Sequence, residues 1–284
     1  MSLKKIELET NVELKDYTTI RIGGRAKFFF LANTPEELCR LLSEFGPGVY
    51  ILGGGSNILV SDSPIEKPVI KLGAGFDYIE EREGRLVVGA ATTLASLLNY
   101  CLKHDLGGLE NLAGIPATLG GLLKLNASAY DRQISTLVGE VALSDRWGNI
   151  QELRRKDLVF GYRTSSIGER IVLWASLILP QSREVKERLK TFFGRRLKSQ
   201  DLSFPNCGCI FKNPEKKSAG FLIDSCGLKG MEKGGARISP KHANFIVNTG
   251  SAKYNDVAYL IDKIKDVVYK KHSIILEEEI IRWA

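Results

Sequence analysis

Three short segments place polar or nucleophilic residues where the surrounding chain is apolar or glycine-rich. In Phe160-Gly-Tyr-Arg-Thr-Ser-Ser166, Arg163 lies between an aromatic residue and small hydroxyls, a setting that suits a clamp on a carboxylate or phosphate. In Asn206-Cys-Gly-Cys-Ile-Phe-Lys-Asn-Pro214, Cys209 follows a glycine and precedes the apolar pair Ile210-Phe211. In Leu276-Glu-Glu-Glu-Ile280, strand alternation puts Glu277 and Glu279 on one face. Each segment also has a plainer reading: a surface arginine, a buried inert cysteine and a solvated acidic edge.

Two glycine-rich segments complete the set. Leu52-Gly-Gly-Gly-Ser-Asn-Ile-Leu-Val60 sets three glycines between two apolar strand candidates. Glycine weakens a strand and costs entropy there. The cost makes sense where a ligand lies against the main chain, because successive bare N–H groups form an anion-holding nest, and Ser56 and Asn57 add side-chain donors. A tight, strained turn is the alternative. The second segment, Gly108 to Gly121, runs for fourteen residues with no clear period until its end, which marks a functional loop. Common phosphate fingerprints are absent: Gly73-Ala-Gly75 has Tyr78 where a third glycine belongs, and no Gly-x-x-x-x-Gly-Lys occurs. Two backbone cradles of this kind suit a dinucleotide with two phosphates.

The elements that must position these segments follow from pattern. Strands are expected at Lys27 to Leu31, Gly48 to Leu52, from Ile58, Pro68 to Leu72 and Arg85 to Val88, and near 138–144, 149–154 and 171–179. Thr34-Pro-Glu-Glu37 is a capping box with proline at the first helical position, and Leu38, Leu41, Leu42 and Phe45 supply the helical period. Further helices are expected over Ala95 to Lys103, Ser182 to Lys198, Ala219 to Cys226 and Tyr254 to Lys271. Phe204 to Pro214 reads as a loop and strand, and Ile274 to Leu276 and Ile280 to Trp283 as closing strands. The mixed order indicates α+β architecture.

Composition sets the outer bounds. The chain has 284 residues, 44% hydrophobic and 26% charged, as an ordinary globular protein does. No apolar run is long enough to span a bilayer, and Met-Ser-Leu-Lys-Lys-Ile-Glu7 has no apolar leader core, so a cytoplasmic location is expected. Five cysteines without framework spacing fit reduced thiols. Three histidines outside any ligand motif, and Cys207 and Cys209 without a second pair, argue against a metal site. The net charge of +7 is spread rather than striped, which reads as a solvated basic surface rather than a nucleic-acid face and is also compatible with a small anionic substrate.

Taken together, the segments resemble one family. Arg21-Ile-Gly-Gly24, Leu52-Gly-Gly-Gly-Ser-Asn57, Ala113-Gly-Ile-Pro116 with Gly120-Gly121, Gly161-Tyr-Arg-Thr-Ser165, Gly208-Cys-Ile-Phe-Lys-Asn-Pro214, Ser239-Pro-Lys-His-Ala243 and Leu276-Glu-Glu-Glu279 stand in the order seen in the UDP-N-acetylenolpyruvoylglucosamine reductases. The resemblance covers nearly the whole chain and looks like the shorter branch of that family. It implies an FAD-binding fold of two α+β subdomains, of the vanillyl-alcohol-oxidase (PCMH) type, over residues 1–75 and 76–190. A C-terminal α+β substrate-binding domain is implied over 191–276, with the last strand, about 277–284, returning to the first subdomain.

The resemblance also implies non-covalent FAD, NADPH as co-substrate, a UDP-sugar substrate and a role in peptidoglycan synthesis, with no obligate protein partner, nucleic acid or membrane. The flavin would lie against Gly53, Gly54, Gly55, Ser56 and Asn57 and against Ala113, Gly114, Pro116, Thr118, Gly120 and Gly121. Hydride passes from flavin N5 to the enolpyruvyl double bond in that family. Arg163 and Glu279 match the residues that stabilise the enolate, and Tyr162, Lys198 and Asn213 match substrate contacts. Cys209 stands where the proton-donating serine is usual; a thiol, with a reference pKa of about 8.5, is the stronger acid. Ala117 replaces a glycine, and Leu123-Lys-Leu-Asn126 with Ser128 replaces a stretch normally richer in Met and Gly. A related flavin oxidase and a non-catalytic flavin or nucleotide-binding protein are the alternatives. The glycine segments offer no histidine or cysteine for a flavin bond, so denaturation is expected to release FAD into the supernatant. A flavin that stays with the precipitated chain would contradict this.

Overall fold

The computed structural model describes residues 6–284, so most of the N-terminal stretch read for a leader lies outside the described residues. In chain order the strands are β1 (Glu7–Glu13), β2 (Arg25–Ala32), β3 (Tyr50–Leu52), β4 (Ile58–Val60), β5 (Val69–Leu72), β6 (Ile79–Arg82), β7 (Arg85–Gly89), β8 (Ser128–Ala129), β9 (Arg132–Gln133) and β10 (Val138–Ser144). They continue with β11 (Ile150–Arg154), β12 (Phe160–Gly161), β13 (Thr164–Ser165), β14 (Ile171–Leu177), β15 (Asn206–Cys209), β16 (Glu232–Lys233), β17 (Ala236–Ile238), β18 (Phe245–Asn248) and β19 (Ile281–Trp283). The helices are α1 (Pro35–Phe45), α2 (Leu94–Lys103), α3 (Leu119–Lys124), α4 (Val185–Ser199), α5 (Ala219–Ser225) and α6 (Tyr254–His272).

The chain divides into two compact units. The first takes the described chain from residue 6 to Thr10, Phe28–Gly54 and Lys67–Arg195. Its strands form a sheet ordered β1-β2-β5-β3, with β5 parallel to both β2 and β3, and a sheet ordered β11-β10-β14-β7-β6, antiparallel at every pairing. Apolar residues of α1 (Leu38, Leu41, Leu42), α2 (Leu94, Leu97) and α3 (Leu119, Leu122) are buried in one core with the sheets. Helix α1 begins as the capping pattern predicts. Thr34 Oγ1 accepts from Glu37 N at 3.2 Å, and the Glu37 carboxylate reaches back to Asn33 N at 2.7 Å.

The second unit takes Asn11–Lys27, Gly55–Glu66 and Arg196–Ala284. Its antiparallel sheet is ordered β15-β18-β17-β16, and β19 pairs in parallel with β4, Ile281 opposite Ile58. Helix α6 buries Val257, Leu260, Ile261, Ile264 and Val268, the stripe its period predicts. No helix among the described residues is long and apolar enough to cross a membrane.

Two local expectations change. Ile274 to Leu276 is not a strand. Helix α6 ends at Ser273 in the left-handed region (φ 54), and the chain then runs without regular pairing as far as one antiparallel bridge, Phe211 to Glu278. The β-branched residues there signalled a strand, but no neighbouring strand supplies a ladder. Within Gly108 to Gly121, a short turn over Glu110–Leu112 and the start of α3 break the expected structureless loop.

Candidate functional site

In the first unit, β3 delivers the chain to Gly53 and Gly54. A Cβ on Gly53 would lie 3.1 Å from Thr118 Oγ1, and one on Gly54 would lie 3.0 Å from the Pro116 carbonyl oxygen. The two glycine-rich segments therefore lie against each other, closer than side chains would comfortably allow. The 113–121 segment is held in turn by neighbouring main chain: Leu94 N donates to Ala117 O at 2.9 Å, and Gly120 N to Ala90 O at 2.9 Å. Gly114 takes φ +83 and is exposed beside buried Ala113 and exposed Pro116. Gly53, Thr118, Gly120 and Gly121 line a cleft of ≈ 110 Å³. Leu52, Leu72, Ala90, Ile171 and Val172 give it apolar walls, and Lys71, Lys124 and Arg170 give it charge. Burial holds the ammonium groups of Lys71 and Lys124 below lysine's ordinary range. Bare main chain, apolar walls and cations are the parts a phosphate-bearing planar ligand needs.

Arg163 is in the same unit, at the tip of the β12–β13 hairpin, where Tyr162 and Arg163 form the two-residue turn. Its φ is 53, in the left-handed region that a β-carbon disfavours by about 1–2 kcal/mol. Neighbouring groups hold this turn in place. Arg163 Nη1 donates to Ser128 O at 3.2 Å and to Ser128 Oγ at 3.1 Å. Asn126, buried and itself at φ 43, donates through Nδ2 to Gly161 O at 2.9 Å. Ser165 Oγ donates to Lys124 O at 2.8 Å. Asn126 and Ser128, read in the sequence only as departures in an apolar stretch, thus fix the arginine hairpin. The one available signal was a polar residue interrupting an apolar run.

In the second unit, Gly55 is buried at φ +62, and a Cβ there would lie 1.8 Å from Tyr17 O. Thr19 N donates to Gly55 O at 3.1 Å. Asn57 Nδ2 donates to Glu279 O at 2.9 Å, and Ile281 N donates to Asn57 O at 3.0 Å. Glu279 N donates to Ile210 O at 2.8 Å, and Lys212 N to Glu277 O at 2.9 Å. Residues 277 and 279 therefore both bond to the 210–212 segment, and the structure brings Glu279 beside the residue that follows Cys209.

The cysteine segment has its own supports. Asn206 donates through Nδ2 to Asp201 O and Phe204 O at 3.1 and 2.9 Å, and its Oδ1 accepts from Gly208 N at 3.1 Å. Gly208 takes φ +76. Asn244, fully buried, accepts from Phe211 N at 3.0 Å and donates to Phe211 O at 2.8 Å. Cys207 is 1% exposed, and burial pushes its thiol up to about 12. Cys209 is partly exposed at the end of β15. Of the two thiols, Cys209 is the less buried.

Lys198 is exposed in the last turn of α4, and Ser56 is partly buried. Asn213 is exposed, with Oδ1 accepting from Ala219 N at 3.0 Å at the start of α5. Among the described residues no group of His, Cys, Asp and Glu could hold a metal ion.

Two family models match the chain: an FAD binding domain over residues 27–154, and the C-terminal domain of UDP-N-acetylenolpyruvoylglucosamine reductase over residues 200–283. The chain is 36% identical over 281 residues to the UDP-N-acetylenolpyruvoylglucosamine reductase of Halalkalibacterium halodurans, covering 96% of this chain and 93% of that one. It is 37% identical over 285 residues to the enzyme of the same name from Caldanaerobacter subterraneus, covering 98% and 94%. The crystal structure of UDP-N-acetylenolpyruvylglucosamine reductase from Thermus caldophilus superposes with a TM-score of 0.85 at 36% identity, over 99% of both chains.

Glu278 ties down the segment that carries Glu279. Arg282 donates to both its carboxylate oxygens at 2.8 Å, and Lys265 Nζ also donates to Oε1. Burial alone would raise this carboxyl, but the Arg282 and Lys265 contacts outweigh it and hold it below the usual glutamate range. A depressed folded value stabilises the fold above the unfolded pKa, near 4.3, and the contribution is lost as pH falls through the folded value. Glu278→Gln is therefore expected to lower stability at pH 7, with the gap to wild type narrowing in denaturant melts taken below about pH 4. A gap that stays constant with pH would contradict the clamp.

Proposed function

The chain belongs to the UDP-N-acetylenolpyruvoylglucosamine reductase family, and from that premise we propose that it reduces UDP-N-acetyl-enolpyruvoylglucosamine to UDP-N-acetylmuramate with NADPH, for peptidoglycan synthesis. It is an FAD-containing oxidoreductase. The residues present fit that cofactor: Gly53 and Gly54 keep the main chain bare against the 116–118 segment, and the adjoining cleft is apolar with a basic rim. FAD, when bound, supplies the hydride chemistry between nicotinamide and substrate. We assign it to residues 1–75 and 76–190 and the sugar nucleotide to 191–276, with Tyr162, Lys198 and Asn213 as substrate contacts. The enzyme works in the cytoplasm on a small UDP-sugar, without an obligate protein partner, nucleic acid or membrane.

The protein's own part is to manage charge and a proton. As hydride adds to one carbon of the double bond, the electron pair moves toward the substrate carboxylate. Arg163 supplies a fixed positive charge there, and Glu279 a second polar contact to the enolate. Sγ–H of Cys209 then donates its proton to the other carbon, and the thiol is reprotonated from water. The observation that carries this reading is the bond from Glu279 N to Ile210 O at 2.8 Å, which sets Glu279 beside the Cys209 segment. The left-handed backbone of Arg163 supports it, because strain of this kind persists where the surrounding structure enforces it, commonly at functional sites.

The test separates the two half-reactions. Arg163→Ala and Glu279→Gln should still be reduced by NADPH at the wild-type rate. Turnover of Arg163→Ala should fall roughly a hundredfold to a thousandfold, the cost of removing one donor to a developing oxyanion, and Glu279→Gln should also turn over more slowly. Stopped-flow traces in which only flavin reduction is impaired would assign these residues to the wrong half of the cycle.

A further inference from the structure

Cys207 and Cys209 are two residues apart on β15, and in a regular strand they would face the same way. Their environments differ. Cys207 is 1% exposed and packs in the core of the second unit, whereas Cys209 is partly exposed. Ile210, the next residue, is fully buried in that same core. Regular alternation would bury Cys209 with Cys207 and turn Ile210 outward. The pairing with β18 explains the departure. Asn206 stands opposite Val247 and Cys209 opposite Phe245, so three steps on β15 face two on β18. The extra residue makes a β-bulge. Gly208, inside it, takes φ +76, and a Cβ there would meet nothing within 4 Å. The bulge shifts the alternation by one residue, and Cys209 leaves the buried face.

A bulge disrupts the ladder locally, so other groups must hold it. Asn206 Oδ1 accepts from Gly208 N at 3.1 Å. The Asn206 carbonyl accepts from the hydroxyl of Thr19 at 2.7 Å, across 187 residues of sequence. The same hydroxyl has Gly55 O at 3.5 Å, a distance at which that second bond is weak. Thr19 is itself held in place. Its N–H donates to Gly55 O at 3.1 Å, and Asn248 Nδ2 donates to the carbonyl of buried Ile20 at 3.0 Å. Asn248 N in turn donates to Pro205 O at 2.9 Å, one residue before Asn206. Thr19 and Ile20 thus form a strap pinned across the start of β15.

We propose that the bulge at residues 207 and 208 presents the Cys209 thiol to the substrate, and that Thr19 is a positioning residue that holds the bulge through the Asn206 carbonyl. The proposal rests on the reading of Cys209 as proton donor and adds to it a strap and a backbone irregularity that take no part in the chemistry above.

The test makes two measurements on Thr19→Val, which keeps the shape of the side chain and removes its donor. The first is the rate at which iodoacetamide alkylates Cys209 in the flavin-loaded protein, with the site located by mass spectrometry. The second is reoxidation of the NADPH-reduced flavin by UDP-N-acetyl-enolpyruvoylglucosamine. Both should fall roughly twofold to tenfold, the worth of one neutral hydrogen bond, with reduction by NADPH unchanged. Thr19→Ser should recover both rates. Gly208→Val and Gly208→Asn probe the bulge through its backbone, since a β-branched residue resists positive φ and asparagine accepts it. The valine variant should slow both rates, and the asparagine variant should stay near wild type. Melting curves identify a threonine variant that fails to fold, in which case the glycine pair decides. Wild-type or faster alkylation in Thr19→Val and Gly208→Val, or wild-type reoxidation in both, would overturn the proposal. Alkylation reads the bulge without any reductase chemistry. If it slows as expected while Cys209→Ala reoxidises at the wild-type rate, the proton-donor reading has failed and not the bulge.

Discussion

No side chain can be carried at Gly55, and one at Gly54 would crowd its neighbours; the segments around each glycine depend on that constraint. At Gly54 a β-carbon would press on the Pro116 carbonyl, and at Gly55 it would meet the Tyr17 carbonyl at 1.8 Å. Main chain packed this closely leaves N–H groups bare for a ligand. The same run of residues leads from β3 into β4. Strand β4 pairs with β19, Asn57 holds the Glu279 carbonyl, and Glu279 N reaches Ile210. A steric requirement near residue 55 thus extends, bond by bond, to the segment that carries Cys209.

What each unit offers chemically is set by which groups are wet and which are not. Cys207 is sealed in the core of its unit, and its thiol is a poor acid there. Two residues on, Cys209 is partly exposed at a strand end, after a left-handed glycine that Asn206 caps. Arg163 is held by the opposite means, with its own backbone in a disfavoured region and Ser128, Asn126 and Ser165 fixing the hairpin. Buried side-chain amides recur in this role because each can satisfy a main-chain donor and an acceptor at once. Asn244, which brackets both polar groups of Phe211, does so directly.

Local pattern made the regular elements legible. The cap at Thr34 and the apolar stripes of α1 and α6 are properties of residues three or four apart, and the structure forms them where the spacing says. Ile274 to Leu276 shows the limit of such reading, since β-branched residues favour a strand only where a neighbour completes the ladder. The supports of the site were not legible for a related reason. Asn57 and Glu279 are 222 residues apart, Asn126 and Gly161 are 35 apart, and Asn244 and Phe211 are 33 apart. Nothing in the local sequence announces a hydrogen bond of that span. Arg163, Cys209 and Glu279 stood out because they lie in motifs whose order along the chain is itself informative. Asn126 and Asn244, which hold neighbouring segments, carry no such mark.

The most direct test of this account is the oxidative half-reaction of Cys209→Ala. Enzyme reduced by NADPH without oxygen is mixed with UDP-N-acetyl-enolpyruvoylglucosamine, and recovery of the flavin absorbance is followed. The account predicts that the alanine variant is reduced normally but recovers its absorbance far more slowly than wild type, while Cys209→Ser keeps substantial activity. Equal recovery in the alanine variant and wild type would contradict it and remove Cys209 from the proton transfer.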